Sequence, residues 1–197
     1  MKLGKKNLEE SNLSFVSYSL IFYGFLLLTG IYICSFNPTN LIKIFSFSEL
    51  SWPLSHVVLI SFVSFILMLL LSHLFKLLFP SYEQHKKYVY VVLGKLKMSQ
   101  ILIISVVSAA SEEIFFRAAL QPNLGVFLTS IIIGLLQLGP QARLTAFSAY
   151  SFIRNCIFGM LFYYTNVIFI PFFVHALLNI IYLSNLSDIR SRKPKDI

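Results

Sequence analysis

Ala110-Ser-Glu-Glu-Ile-Phe-Phe-Arg117 sets three charges inside sequence that is otherwise apolar enough to cross a bilayer. A charged side chain at the centre of a membrane helix costs roughly 2.5–3.5 kcal/mol on insertion scales, so such residues face a bundle interior or a wet cavity and mark function. Glu113 and Arg117 stand four apart, which on an α-helix puts them on one face with the acid N-terminal to the base, the favoured order for an intrahelical pair. Glu112 points about 100° away. One carboxylate is thus neutralised within its own helix, and the other is free for chemistry.

The surrounding sequence fits that setting. Of 197 residues, 57% are hydrophobic and 12% charged, against about 25% charged in an ordinary soluble domain. Apolar runs long enough to span a bilayer recur along the whole chain and leave no stretch for a soluble domain, so one all-α integral membrane domain is expected. The net charge of +8 raises nucleic acid as a partner. The basic residues flank the apolar runs, where the positive-inside rule accounts for them, and nucleic-acid binding is set aside. Cys34 and Cys156 lie in separate apolar runs and read as buried small hydrophobes rather than a disulfide.

Six spans are expected, at about 13–36, 54–79, 100–120, 124–138, 144–164 and 167–186, forming a polytopic helical bundle. The first follows Lys2, Lys5 and Lys6 but is too long for a cleaved signal and reads as a retained anchor. Asn37-Pro38-Thr39-Asn40 ends it with turn chemistry, and 41–50 reads as a partly amphipathic interfacial connector. Pro80-Ser81 closes the second span and Gln121-Pro122-Asn123 the third, while Gly139-Pro140 ends the fourth. The stretch 82–99, with His85, Lys86, Lys87, Lys95 and Lys97, reads as a basic juxtamembrane loop. His56 and His73 fall near span ends and read as interfacial or packed. With both termini cytoplasmic, thirteen of the sixteen Lys and Arg fall on that side and Lys43 alone on the other, with Arg117 and Arg154 inside spans.

That topology assigns depths. At ~1.5 Å per residue and ~30 Å of hydrocarbon, Glu112 and His175 each lie about 18 Å from the inner edge and Arg154 about 15 Å. His175 and Asn179, four apart, share a face of the last span. Two readings of that pair stand. It is interhelical hydrogen-bonding glue, or it donates to the oxyanion formed when a water activated by Glu112 attacks a peptide carbonyl. Arg154 likewise reads two ways: a salt bridge to Glu112 or Glu113, or a guanidinium reaching a polar cavity or backbone carbonyls.

These residues resemble the CAAX-protease and bacteriocin-processing family of membrane-embedded glutamic-type peptidases. Glu112, Glu113 and Arg117 match its E-E-x-x-x-R signature, and the wording around them, S-E-E-I-F-F-R-A-A-L-Q, is similar too. His175 and Asn179 match its H-x-x-x-N/D signature, and 158–175 resembles its last hairpin. The likeness covers about 99–186. It implies a catalytic core at 99–187, preceded by N-terminal spans and a basic cytoplasmic loop (1–98) and followed by a basic tail (188–197).

The resemblance implies an intramembrane endopeptidase of a bacterial cytoplasmic membrane, acting on a peptide or membrane-anchored protein. Glu112 would activate the water, Glu113 and Arg117 would support it, and His175 with Asn179 would stabilise the oxyanion. One signature departs. Where the family's F-x-x-x-H carries histidine this chain has Gln137, with Ile133 at the aromatic position. Glutamine hydrogen-bonds a water but cannot take its proton. The chain is therefore either an enzyme with Glu112 as sole base or an inactive scaffold or immunity-type protein that binds peptides or lipidated tails. No cofactor is expected, and a metal role is disfavoured because the chain lacks H-E-x-x-H and offers one deep histidine. A transporter or channel subunit finds little support, since no inverted repeat is visible.

Overall fold

The computed structural model describes residues 2–36, 42–46, 48, 50–93, 96–138 and 144–187. Regular structure among them is helical: α1 (Lys2–Ser35), α2 (Leu54–Leu78), α3 (Pro80–Leu93), α4 (Met98–Glu112), a π-helical stretch (Glu113–Leu120), α5 (Gln121–Leu136), α6 (Ala146–Thr165) and α7 (Phe169–Ser187). The turns at 37–40 and 139–140 and the basic tail at 188–197, all read from sequence above, lie outside the described residues.

Proline shapes the join between α2 and α3. The residue before a proline is pushed out of helical backbone, and Phe79 is extended at φ −128°, ψ 101°. Pro80 itself suits a first helical turn, where its missing N–H is no loss, so the helix restarts there. The expected loop at 82–99 is therefore helical as far as Leu93. Tyr82 on α3 packs with Phe75, Phe147 and Tyr150, and its hydroxyl bonds Ser72 at 2.8 Å.

The other correction concerns 98–136, which is helical without an intervening loop. Its break comes at Gly125 (φ +74°, ψ 171°), a backbone that glycine adopts without strain. Pro122, where sequence placed the end, is accommodated in the first turn of α5. Four segments among the described residues are long and apolar enough to cross a membrane: 16–35, 54–78, 98–136 and 169–186. That is fewer than the six expected, for two reasons. The third segment contains two of the anticipated spans, and α6, with Ser148, Ser151, Arg154, Asn155 and Thr165, is too polar to count by composition.

Apolar side chains such as Phe25, Phe62 and Leu59 are exposed at the bundle perimeter, as lipid-facing residues are. Lipid offers no hydrophobic drive for helix association, so close packing of small residues matters. Gly30 brings α1 against the π-helical stretch so closely that a Cβ there would lie 3.0 Å from the Phe115 Cα. Between α2, α6 and α7, Met68, Phe158, Leu161, Val174 and Leu178 form a buried apolar layer directly beside the polar residues described next.

Candidate active site

Glu113 and Arg117 were expected on an α-helix and lie on a π-helix. Hydrogen bonds there run from i to i+5, so residues four apart fall slightly short of one turn and still share a face. Arg117 Nε donates to Glu113 Oε2 at 3.3 Å, with both side chains essentially buried. Arg117 Nη2 donates to Asn155 Oδ1 at 2.6 Å, and the Asn155 amide is in turn fixed on the Ser151 carbonyl at 2.8 Å. π-helical segments are rare and frequently mark functional positions.

The second oxygen of Glu113 faces α7. His175 Nδ1 lies 2.8 Å from Glu113 Oε1, and its Nε2 lies 3.8 Å from Glu112 Oε2. With Glu113 accepting, His175 donates from Nδ1, and its Nε2 is directed toward Glu112. Glu112 differs from its neighbour in exposure: its side chain is 15% exposed, against 2% for Glu113 and 1% for His175. Asn179, one turn below His175, donates to Ser108 Oγ at 3.0 Å. Ser108 stands four residues before Glu112 and therefore on its face of α4.

Glu112, His175, Asn179 and Gln137 line one cavity of about 570 Å³. Gln137 caps the C-terminal end of α5, and its carbonyl accepts from Ser148 Oγ at 2.7 Å, which ties α5 to the start of α6. Arg154 lines the same cavity, and among the described residues it makes no ion pair with Glu112 or Glu113. Of its two sequence readings, the guanidinium in a polar cavity is the one found. His73, Lys76 and Lys86 of α3 line the cavity too; His56 is exposed at the start of α2.

Three contributors were not singled out from sequence. Asn155 carried a signal, as an amide beside an intramembrane arginine. Ser108 carried one in its four-residue spacing to Glu112. Tyr23 carried none, being one of ten tyrosines; it comes from α1, lines the cavity and interacts with Glu112 and Ser108. The described residues hold no cluster of three or more His, Cys, Asp or Glu side chains disposed to bind a metal.

The fold and site together define a polytopic helical membrane protein with a carboxylate–imidazole–carboxylate constellation, two of whose members, Glu112 and His175, line a cavity. Residues 94–181, just under half of the chain, match the family model described as Type II CAAX prenyl endopeptidase Rce1-like, which bears out the resemblance read from the two motifs. Over those residues the chain is similar to the CAAX endopeptidases, and its apolar helices mark it as an integral membrane protein. No curated protein and no solved structure matches the chain.

Proposed function

We propose that the chain is an intramembrane endopeptidase that hydrolyses a peptide bond of a membrane-anchored or membrane-proximal substrate with a water activated by Glu112. The observation that carries this reading is the 3.8 Å approach of His175 Nε2 to Glu112 at a cavity, with Nδ1 held by Glu113. Glu112 takes a proton from the water, and the oxygen attacks the carbonyl carbon as the C=O electron pair moves to oxygen. His175 in its imidazolium form donates from Nδ1 to Glu113 and from Nε2 to that oxyanion. The free N–H of Asn179 is the second donor. Collapse expels the amine, which takes the proton from Glu112, leaving a new carboxylate and a new amino terminus. Glu113 and Arg117 position the imidazole, as the buried acid does in a serine-protease triad.

The test is cleavage of membrane-proximal peptides by purified wild type and Glu112→Gln, with the variant expected to lose at least about a hundredfold in rate. Equal rates would end the proposal. Gln137 favours a second reading, a binding protein built on the same cavity, because an amide cannot share the base's role. Gln137→His separates the two: activity present in wild type supports the enzyme, and activity appearing only in the variant supports the scaffold.

A further inference from the structure

The spanning part of α1 faces lipid over most of its surface. Phe22 and Phe25 are exposed there, whereas Gly30 and Cys34 are buried. Tyr23 stands seven residues before Gly30, and Cys34 four after it, so the three share one face of the helix. The close approach of Gly30 to the Phe115 backbone presses that face against the segment carrying Glu113. Ser19, one turn before Tyr23, lines the Glu112 cavity with it.

Glu112 lacks the partners that hold its neighbour. Both oxygens of Glu113 are engaged, one by His175 and the other by Arg117. His175 Nε2 stands 3.8 Å from Glu112, beyond hydrogen-bonding distance. The Tyr23 hydroxyl fills that place, within hydrogen-bonding reach of both Glu112 and Ser108. Two other tyrosines of the lining, Tyr150 and Tyr182, pack on Phe147 instead. An ionised carboxylate only accepts, so Tyr23 is the donor to Glu112. Ser108 accepts from Asn179 Nδ2 at 3.0 Å, and its own proton goes to Tyr23 Oη or to the Ser105 carbonyl at 3.3 Å. Asn179, Ser108, Tyr23 and Glu112 thus form one chain of polar groups across α7, α4 and α1.

We propose that Tyr23 is the positioning residue of Glu112, its phenol fixing the carboxylate and, through Ser108, tying it to Asn179. Residue 23 lies outside the matched residues 94–181, so α1 completes a site that the matched core does not contain by itself. The role in turnover rests on the peptidase reading; the hydrogen bond does not. A carboxylate held at one oxygen presents the other to the water, and misplacing a reacting group by about 1 Å costs on the order of a hundredfold.

Tyr23→Phe keeps the ring and removes the hydroxyl. In cleavage of membrane-proximal peptides it should lose roughly tenfold or more in kcat, with KM within about twofold of wild type and the unfolding temperature in detergent unchanged. Ser108→Ala should lower kcat about threefold or more alone and add nothing in the Tyr23→Phe protein, because both break one chain. Infrared difference spectra read the contact without turnover. Subtracting Glu112→Gln from wild type isolates the bands of the Glu112 carboxyl group, and the same subtraction in the Tyr23→Phe background should show them shifted. Unshifted bands, a Tyr23→Phe kcat close to wild type, or additive losses in the double variant would overturn the proposal. So would a rise in KM alone, which makes Tyr23 a substrate contact, or a loss of rate that follows a lowered unfolding temperature, which assigns it to packing. If the bands shift while wild type cleaves nothing, the peptidase reading fails and the Tyr23–Glu112 contact stands.

Discussion

Arg117 and Arg154 both lie in the membrane-embedded part of the chain and are treated in opposite ways. Arg117 is enclosed, paired with Glu113 through its Nε and with Asn155 through Nη2. Arg154 looks into the cavity and has no acid beside it among the described residues. The difference separates two uses of a buried charge. A charge whose counter-charge is built in holds other groups in place, here the carboxylate that fixes His175. Arg154 has no counter-charge within ion-pair distance among the described residues, although each guanidinium keeps one buried nitrogen without a partner, Nη1 of Arg117 and Nε of Arg154.

Removing each guanidinium gives the largest test of this contrast. Arg117→Met leaves the Glu113 carboxylate buried without its cation, and breaking a buried pair in this way costs about 3–5 kcal/mol. Thermal unfolding in mild detergent should show a large drop. Arg154→Met removes a side chain that forms no ion pair among the described residues and acts on Glu113 only at longer range, so it should cost clearly less than Arg117→Met. Equal losses for the two would mean that Arg154 has a structural partner after all. A smaller effect sharpens the Arg117 side: Asn155→Leu deprives Nη2 of its 2.6 Å acceptor. A hydrogen bond to a charged group is worth about 1.5–3 kcal/mol, and the same unfolding measurement reads that loss. An Asn155→Leu protein as stable as wild type would show that the guanidinium finds another acceptor.

How far sequence reached follows from what kind of information each feature needs. Spacing along one helix is local, so the Glu113–Arg117 pair could be read directly, and it tolerates even the change from α to π hydrogen bonding. Depth in a bilayer is counted in residues from a span's end. Counting placed Glu112 and His175 at one level, and their side chains approach to 3.8 Å. Counting cannot give azimuth. Whether Arg154 turns toward Glu113 or toward the cavity depends on how α6 is rotated against α5 and α7, and both readings stayed open until coordinates decided. The boundary between the third and fourth spans moved for a related reason. A hydropathy window registers composition, so it separates α4 from α5 at the polar Gln121-Pro122-Asn123, whereas the chain bends where Gly125 permits positive φ. Tyr23 was out of reach because its position depends on α1 docking through Gly30, a contact with no sequence signature.

At the cavity the comparison predicts a change of sign. The Tyr182 hydroxyl is buried and unpartnered, and a polar group buried without a hydrogen bond destabilises the fold. Tyr182→Phe should therefore be neutral or raise stability by up to about 1 kcal/mol, in contrast to Asn155→Leu. A clear destabilisation in detergent melting would show that the hydroxyl has a structural partner.

The smallest effect concerns His85 on α3, outside the spanning segments. Burial against Phe147 disfavours its charged form and lowers its pKa from the ordinary value. The unfolded chain, with a histidine near pH 6.5, thus binds the proton more readily than the folded one. Stability is fully present above about pH 6.5 and falls as the pH drops below it. Unfolding temperature should decline between about pH 7 and 5, and His85→Phe, which keeps the stacked ring and loses the titration, should flatten part of that decline. If His85→Phe leaves the pH slope of wild type unchanged, the burial of His85 against Phe147 does not set that slope.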